Sequence, residues 1–482
     1  MQKPGRYILY LLPTTLVIST IILSILFGTG IVHLPKNVSA ANGPISNAQS
    51  ITTLRSILTL RPMWAQSVNI ATTKTPVASE LLACLRSTVA PICYTPQEMR
   101  QAYGVQSLLN AGTTGKGRSI TLIEAFQYPT LQKDLQIFDK LFGLPDTQVT
   151  IFAPFGSVPF DFKDAGQNGF ATEAALDVQW AHAMAPDAAI TVIEAKDNSL
   201  VQIANALQFA VKQNIGDVIS MSLGLGEQCF DATVRQQMHA SFQQARTQEQ
   251  TVLASAGDSG SAAGDCDVNG NIVTLTQGVI YPASDPLVTS VGGTTLLAER
   301  KTGTYKSETV WNEADQGNGA TGGGFSHIFR KPDYQQSVPG TARGVSDLSF
   351  DADPLTGVPV VAGSQMPNQT LLVTVGGTSL GAPAVAGIAA LFDQVAGKRL
   401  GFLNNALYRI NQIAIVYAQT FHDIQSGNNP FLFKDDNNNL VFVDGFNAVV
   451  SWDAPTGVGT LIASSLALVL PQFVNANDGS NL

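Results

Sequence analysis

The run Gly376-Gly377-Thr378-Ser379-Leu380-Gly381-Ala382-Pro383 sets a serine among glycines just ahead of a small-residue helix expected over 384–395. A hydroxyl on such a turn is exposed at a helix N-terminus, where negative charge is favoured, and this suits a nucleophile. The same pattern also describes an ordinary helix N-cap. A nucleophilic serine needs a base, and the usual base is histidine. His33, His182, His239, His327 and His422 are isolated, and none sits in a Gly- and Thr-rich helix start that would mount an imidazole over a serine. Thr172-Glu173-Ala174-Ala175-Leu176-Asp177-Val178 offers another base, because Glu173 and Asp177 fall at i and i+4 on one helix face. Two carboxyls that close share a proton, and such a pair can draw a proton from a serine in acid. The flanking Phe170, Ala171 and Leu176 supply no cation, which distinguishes the pair from two carboxylates on a solvated face. In Ala254-Ser255-Ala256-Gly257-Asp258-Ser259-Gly260, a protonated Asp258 at a strand end can donate a hydrogen bond to a developing oxyanion. An Asx turn is the plainer use of that run.

Alternating β-like apolar runs and amphipathic helical segments must carry these groups, and that alternation implies an α/β fold with a parallel sheet. Strands are expected over 119–124, 189–194, 218–222, 251–255 and 288–291, with helices over 170–184, 200–213 and 236–248. Sites in such sheets lie in loops at the strand ends.

The chain has 482 residues, 13% of them charged and 45% hydrophobic, with a net charge of −9. It is long enough to bury a large core. Its acidic balance leaves no Lys/Arg stripe to meet phosphates, which sets nucleic-acid binding aside. Lys3 and Arg6 precede an uncharged run, 7–32, long enough to cross a bilayer, and Val38-Ser39-Ala40 before Ala41 suits a signal peptidase. Residues 1–40 thus read as a signal peptide or a membrane anchor, with the rest outside the cytoplasm, secreted or anchored to the outer face of the cell membrane. Residues 41–92 read as a short leader or stalk, and 93–475 as the main domain. Cys84 with Cys93 and Cys229 with Cys266 form two local pairs, read as structural disulfides, since no C-x-x-C is present.

Six blocks in one order extend these readings: Cys93-Tyr94-Thr95-Pro96-Gln97; 172–186, with Ala183-Met184-Ala185-Pro186 after the acid pair; 255–260; Val291-Gly292-Gly293-Thr294; Thr321-Gly322-Gly323-Gly324-Phe325-Ser326; and 345–354. Together they resemble the sedolisin family of serine-carboxyl peptidases. The resemblance implies a subtilisin-like fold with a predominantly parallel, seven-stranded-type sheet flanked by helices. It implies Glu173 as general base, Asp177 as its partner, Ser379 as nucleophile and Asp258 as oxyanion acid. The implied activity is acid endopeptidase action on proteins or peptides, in a monomer.

The resemblance also implies one calcium ion, held by Asp423 and Asp453 with the carbonyls of Ile424, Val449 and Ser451, an oxygen set suited to a hard cation. Val449-Val450-Ser451 departs from the family's Gly-Pro-Gly stretch there. The family's long pro-domain has little room ahead of Tyr94. Two rivals remain, a subtilisin-type protease with a histidine base and a catalytically silent extracellular binding module.

Overall fold

The computed structural model describes residues 63–70, 82–267, 272–317, 319–363, 370–434 and 440–475. The apolar run 7–32, the candidate cleavage site at 38–41 and His33 lie outside these residues.

Short runs rich in Ile, Val, Leu and Ala build a ten-stranded sheet. In space its main path runs Phe421–His422, Thr460–Leu461, Leu348–Asp351, Thr289–Ala298, Thr251–Ser255, Val218–Met221, Ser119–Ala125, Ala189–Ala195 and Val149–Phe152. Every neighbour along that path is parallel except Phe421–His422. The sheet is wider than the seven-stranded type expected, through short strands at its edges and an antiparallel strand, Tyr305–Val310. That strand also explains why the expected strand 288–291 runs on to Ala298: its second half pairs with Tyr305–Val310.

From the central strand Ser119–Ala125 the chain winds out to Val149–Phe152, back to Ala189–Ala195, and then crosses to Val218–Met221 on the other side. The winding direction switches between Ser119–Ala125 and Val218–Met221, and the carboxyl ends of strands at such a switch are the ordinary place for a site in an open α/β sheet.

Alternation along the strands sorts side chains between two cores. Ile120, Leu122, Val218 and Leu253 face one core, which contains residues of the helices Ala165–Met184 and Thr378–Ala396. Ile123, Ile219, Met221, Val252 and Ala254 face the other, built on Leu200–Lys212 and Ala232–Thr247. Two helices begin earlier than their apolar spacing suggests, each because of an aspartate cap. Asp164 Oδ1 accepts from the amides of Gly166 and Gln167 at 2.8 and 3.1 Å, and Asp231 Oδ1 from that of Thr233 at 2.7 Å.

Both cysteine pairs are joined, with Cα separations of 5.1 Å for Cys84 and Cys93 and 5.0 Å for Cys229 and Cys266. The segment read as leader or stalk takes part in the fold. Residues Met63–Asn69 form an antiparallel strand along Leu371–Gly376, which also pairs with Val358–Ala362. Leu82 and Cys84 are buried, and the amide of Ile92 donates to the carbonyl of Leu355 at 2.8 Å.

Candidate active site

Two helices carry Ser379 and the acid pair, and small residues let them meet closely. A Cβ on Gly387 would stand 2.7 Å from Cβ of Met184 and 2.8 Å from the carbonyl oxygen of Ala181, so a side chain there would force the helices apart. Gln179 fixes the helix of the acid pair to strand Val358–Ala362, donating to the Val361 carbonyl at 2.8 Å and accepting from its amide at 2.9 Å.

Ser379 opens the helix Thr378–Ala396 directly after Leu371–Gly376, on a turn where Gly377 has φ 103°. A positive φ of that size strains any residue with a side chain. The Ser379 side chain is buried, as are those of Glu173 and Asp177 on the facing helix. Glu173 lies beside Ser379, whose hydroxyl favours the charged carboxylate, although no hydrogen bond of ordinary length and angle joins them. Such contacts tighten when substrate closes a site.

Burial drives the Glu173 carboxyl well above the ordinary carboxylate range, and the neighbouring charge of Asp177 pushes the same way. Burial also raises Asp177, to about 8, against the hydrogen-bonding influence of Ser222 and Glu124. Both acids therefore hold their protons more tightly than an ordinary carboxyl, and a charge on one disfavours a charge on the other. Among the described residues no Lys, Arg or His forms an ion pair with either acid.

Glu124 is a member of this cluster that sequence reasoning missed. It is buried near the end of the central strand Ser119–Ala125, and its carboxyl is raised first by burial, then by the charges of Asp177 and Glu173. Its pattern, Ile123-Glu124-Ala125, carries one weak signal, an acid inside an apolar strand without a basic neighbour.

Asp258 closes the arrangement from the end of Thr251–Ser255. Its Oδ1 accepts from the Thr378 amide at 2.7 Å and the Thr378 hydroxyl at 2.8 Å, while Oδ2 has no hydrogen-bond partner among the described residues. Burial raises it to about 6 against those two bonds. A protonated Oδ2 is thus a free donor beside the turn that carries Ser379.

The described histidines are engaged elsewhere. His182 meets the Pro145 carbonyl and Asp139, and His239 meets Asp285 at 2.8 Å. His327 meets Gln228, and the His422 ring stacks on Tyr305 with centroids 3.6 Å apart.

A second group of oxygens lies near the C-terminus. Asp423 and Asp453 are close enough for the charge of Asp423 to help burial raise Asp453, and neither forms an ion pair among the described residues. Asp423 accepts from Tyr417, Ser451 and Gln425, and Asp453 from Thr456 and Val449. Each keeps one oxygen with a single donor, Asp423 Oδ2 from Gln425 and Asp453 Oδ2 from Val449. Among the described residues the carbonyls of Ile424, Val449 and Ser451 accept no hydrogen bond. Ser451 keeps φ 73°, the left-handed backbone that glycine favours, although it is not glycine. No three Asp, Glu, His or Cys side chains gather into a metal site among the described residues. Two acids with three free carbonyls nevertheless fit a calcium ion, which takes backbone oxygens readily.

The subtilase family model matches residues 165–418, a stretch that contains Glu173, Asp177, Asp258 and Ser379. Kumamolisin of Bacillus sp. (strain MN-32) is 34% identical over 392 residues, covering 79% of this chain and 64% of that protein. Sedolisin of Pseudomonas sp. (strain 101) is 33% identical, covering 78% of this chain and 60% of that protein. The chain thus spans somewhat under two thirds of these relatives' lengths. The solved structure of Pseudomonas sedolisin, a serine-carboxyl proteinase complexed with two molecules of pseudo-iodotyrostatin, superposes with a TM-score of 0.65 at 30% identity. That match covers 80% of this chain and 99% of the solved one. With a buried acid pair beside the serine, and with these matches, the chain belongs to the sedolisin family of serine-carboxyl peptidases, on a subtilisin-like fold.

Proposed function

We propose that this chain is an acid-active serine-carboxyl endopeptidase that cleaves extracellular proteins and peptides. The observation that carries the reading is the Glu173 carboxyl beside the Ser379 hydroxyl, sharing a buried site with Asp177 and no cation. Ser379 Oγ attacks the peptide carbonyl while Glu173 takes its proton, and Asp177 holds the second proton of the pair. Protonated Asp258 donates to the oxyanion as the carbonyl oxygen gains charge. Glu173 returns its proton to the leaving amine, leaving an acyl-enzyme on Ser379. A water that Glu173 deprotonates then releases the acid and frees the serine. Because the pair must hold a proton and Asp258 must be neutral, turnover peaks in acid.

Residues 1–40 would act as a signal peptide or membrane anchor, 41–92 as a short leader and 93–475 as the peptidase domain of a monomer outside the cytoplasm. Asp423 and Asp453, with the carbonyls of Ile424, Val449 and Ser451, would hold one calcium ion, whose charge relieves the repulsion between the two acids and ties their loops together.

Casein and an N-terminally blocked peptide, digested at about pH 4 and about pH 7, test the reading. Cleavage of both substrates is expected only in acid, and Ser379→Ala and Glu173→Ala are expected to abolish it. Digestion that peaks near neutrality would favour a histidine-based protease. Folded protein without cleavage at either pH would favour a silent binding module. Cleavage of free but not blocked peptides would point to the tripeptidyl mode named for the relative in Rattus norvegicus, 27% identical to this chain.

A further inference from the structure

The helix that begins with Thr378 and Ser379 contains Pro383, four residues after the serine. Proline has no N–H, so the carbonyl of Ser379 lacks the donor that the fourth residue on normally supplies. The Ser222 hydroxyl fills the gap, donating to that carbonyl at 3.2 Å.

Ser222 arrives there by register. Strand Val218–Met221 pairs Ser220 with Leu122 of Ser119–Ala125, so two residues on, Ser222 and Glu124 fall side by side and point to the same face. That face is the one covered by the acid-pair and nucleophile helices. Ser222 is buried, and its hydroxyl favours the charged form of Asp177, although no hydrogen bond of ordinary length and angle joins the two. The titratable groups around it are Glu124 from the neighbouring strand, Glu173 and Asp177 from the facing helix, and Asp258 from the loop after Thr251–Ser255.

A hydroxyl has one proton to give and two lone pairs to offer. While Asp177 is protonated, Ser222 can go on donating to the Ser379 carbonyl, and its lone pairs are open to a proton from the Asp177 carboxyl. Once Asp177 is charged, its oxygens accept only, and the single hydroxyl proton turns to them. We propose that Ser222 is a positioning residue whose one hydroxyl proton passes between Asp177 and the Ser379 carbonyl, coupling the charge state of the acid pair to the backbone that carries the nucleophile. The proposal rests on the peptidase reading and deepens it.

The test is the pH profile of kcat and of kcat/KM for the full chain with Ser222→Ala and Ser222→Thr. With Ser222 gone and only Glu124 left to favour charged Asp177, the pair ionises at higher pH. The acid limb of the Ala variant is expected to move up by about half a pH unit or more, with kcat down roughly tenfold and KM nearly unchanged. Thr, which keeps the hydroxyl, is expected to restore both. In a Pro383→Ala background the helix supplies the missing N–H, so Ser222→Ala should no longer lower Tm there but should still shift the acid limb. That background also gives the reading if the single Ala variant does not fold. An acid limb unmoved in the Ala variant, or a Thr variant that behaves like Ala, overturns the relay. A wild type without acid activity overturns the peptidase reading instead.

Discussion

A methyl group on Gly377 would lie 2.7 Å from Oδ2 of Asp258, the oxygen left without a partner beside the nucleophile's turn. The glycine is required twice, since its φ of 103° is also one that side chains rarely adopt. Gly377→Ala is therefore expected to push the acid away from the oxyanion position and to lower kcat by roughly a hundredfold, the scale of losing one oxyanion donor. Tm and kcat measured together check this, and an Ala variant with wild-type kcat would refute it.

Asp258 is useful as a donor only while it is neutral. Its pKa is raised to about 6, so it is protonated below that value and loses its proton as pH climbs through it. An asparagine there has no acid proton to lose. Asp258→Asn is expected to lower activity in acid but to flatten the fall on the alkaline side. Equal loss at every pH would speak against the role.

Stability is expected to follow the same direction. A buried acid whose folded pKa exceeds its unfolded one, about 4, binds its proton more tightly when folded. Its contribution is whole below the unfolded value and disappears as pH rises through the folded one. Asp393 is raised to about 7 and Asp177 to about 8, chiefly by burial, and Glu124 and Glu173 are raised well above the usual range. Tm should fall by roughly 5 °C or more between about pH 4 and about pH 8. Asp393→Asn keeps an oxygen for the Leu400 amide, now bonded at 2.8 Å, and should flatten that slope up to about pH 7. Thermal melts across the range decide it.

Calcium offers an independent check on the C-terminal oxygens. Millimolar calcium is expected to raise Tm by a few degrees over chelator-treated protein, as binding to the folded state alone requires. Asp423→Asn should remove that difference, and Glu299→Gln, at an exposed turn, should leave it intact. A melt indifferent to calcium in the unaltered chain would refute the site.

Much of the arrangement was legible in linear order. The glycine-bounded Ser379 and the i, i+4 spacing of Glu173 and Asp177 depend on local geometry, and local geometry is written in neighbouring residues. Asp258 after an apolar strand is of the same kind. Glu124 and Ser222 were not legible, because their meeting is fixed by the register of two strands almost a hundred residues apart. A one-residue slip would turn both to the opposite core. The edge strand Met63–Asn69 was hidden for a related reason: a Ser- and Asn-containing run reads as a stalk until an unpaired edge is there to receive it.

That edge strand ties the beginning of the described chain to the turn that carries Ser379. Met63 pairs with Gly376, three residues before Ser379, and the register runs on to Asn69 opposite Leu371. A cut in the chain after Ile70 would leave the ladder itself intact. The strand would then stay as a bound peptide, held by hydrogen bonds and free to exchange, and the outer support of the serine's ribbon would become a matter of occupancy rather than of covalent structure.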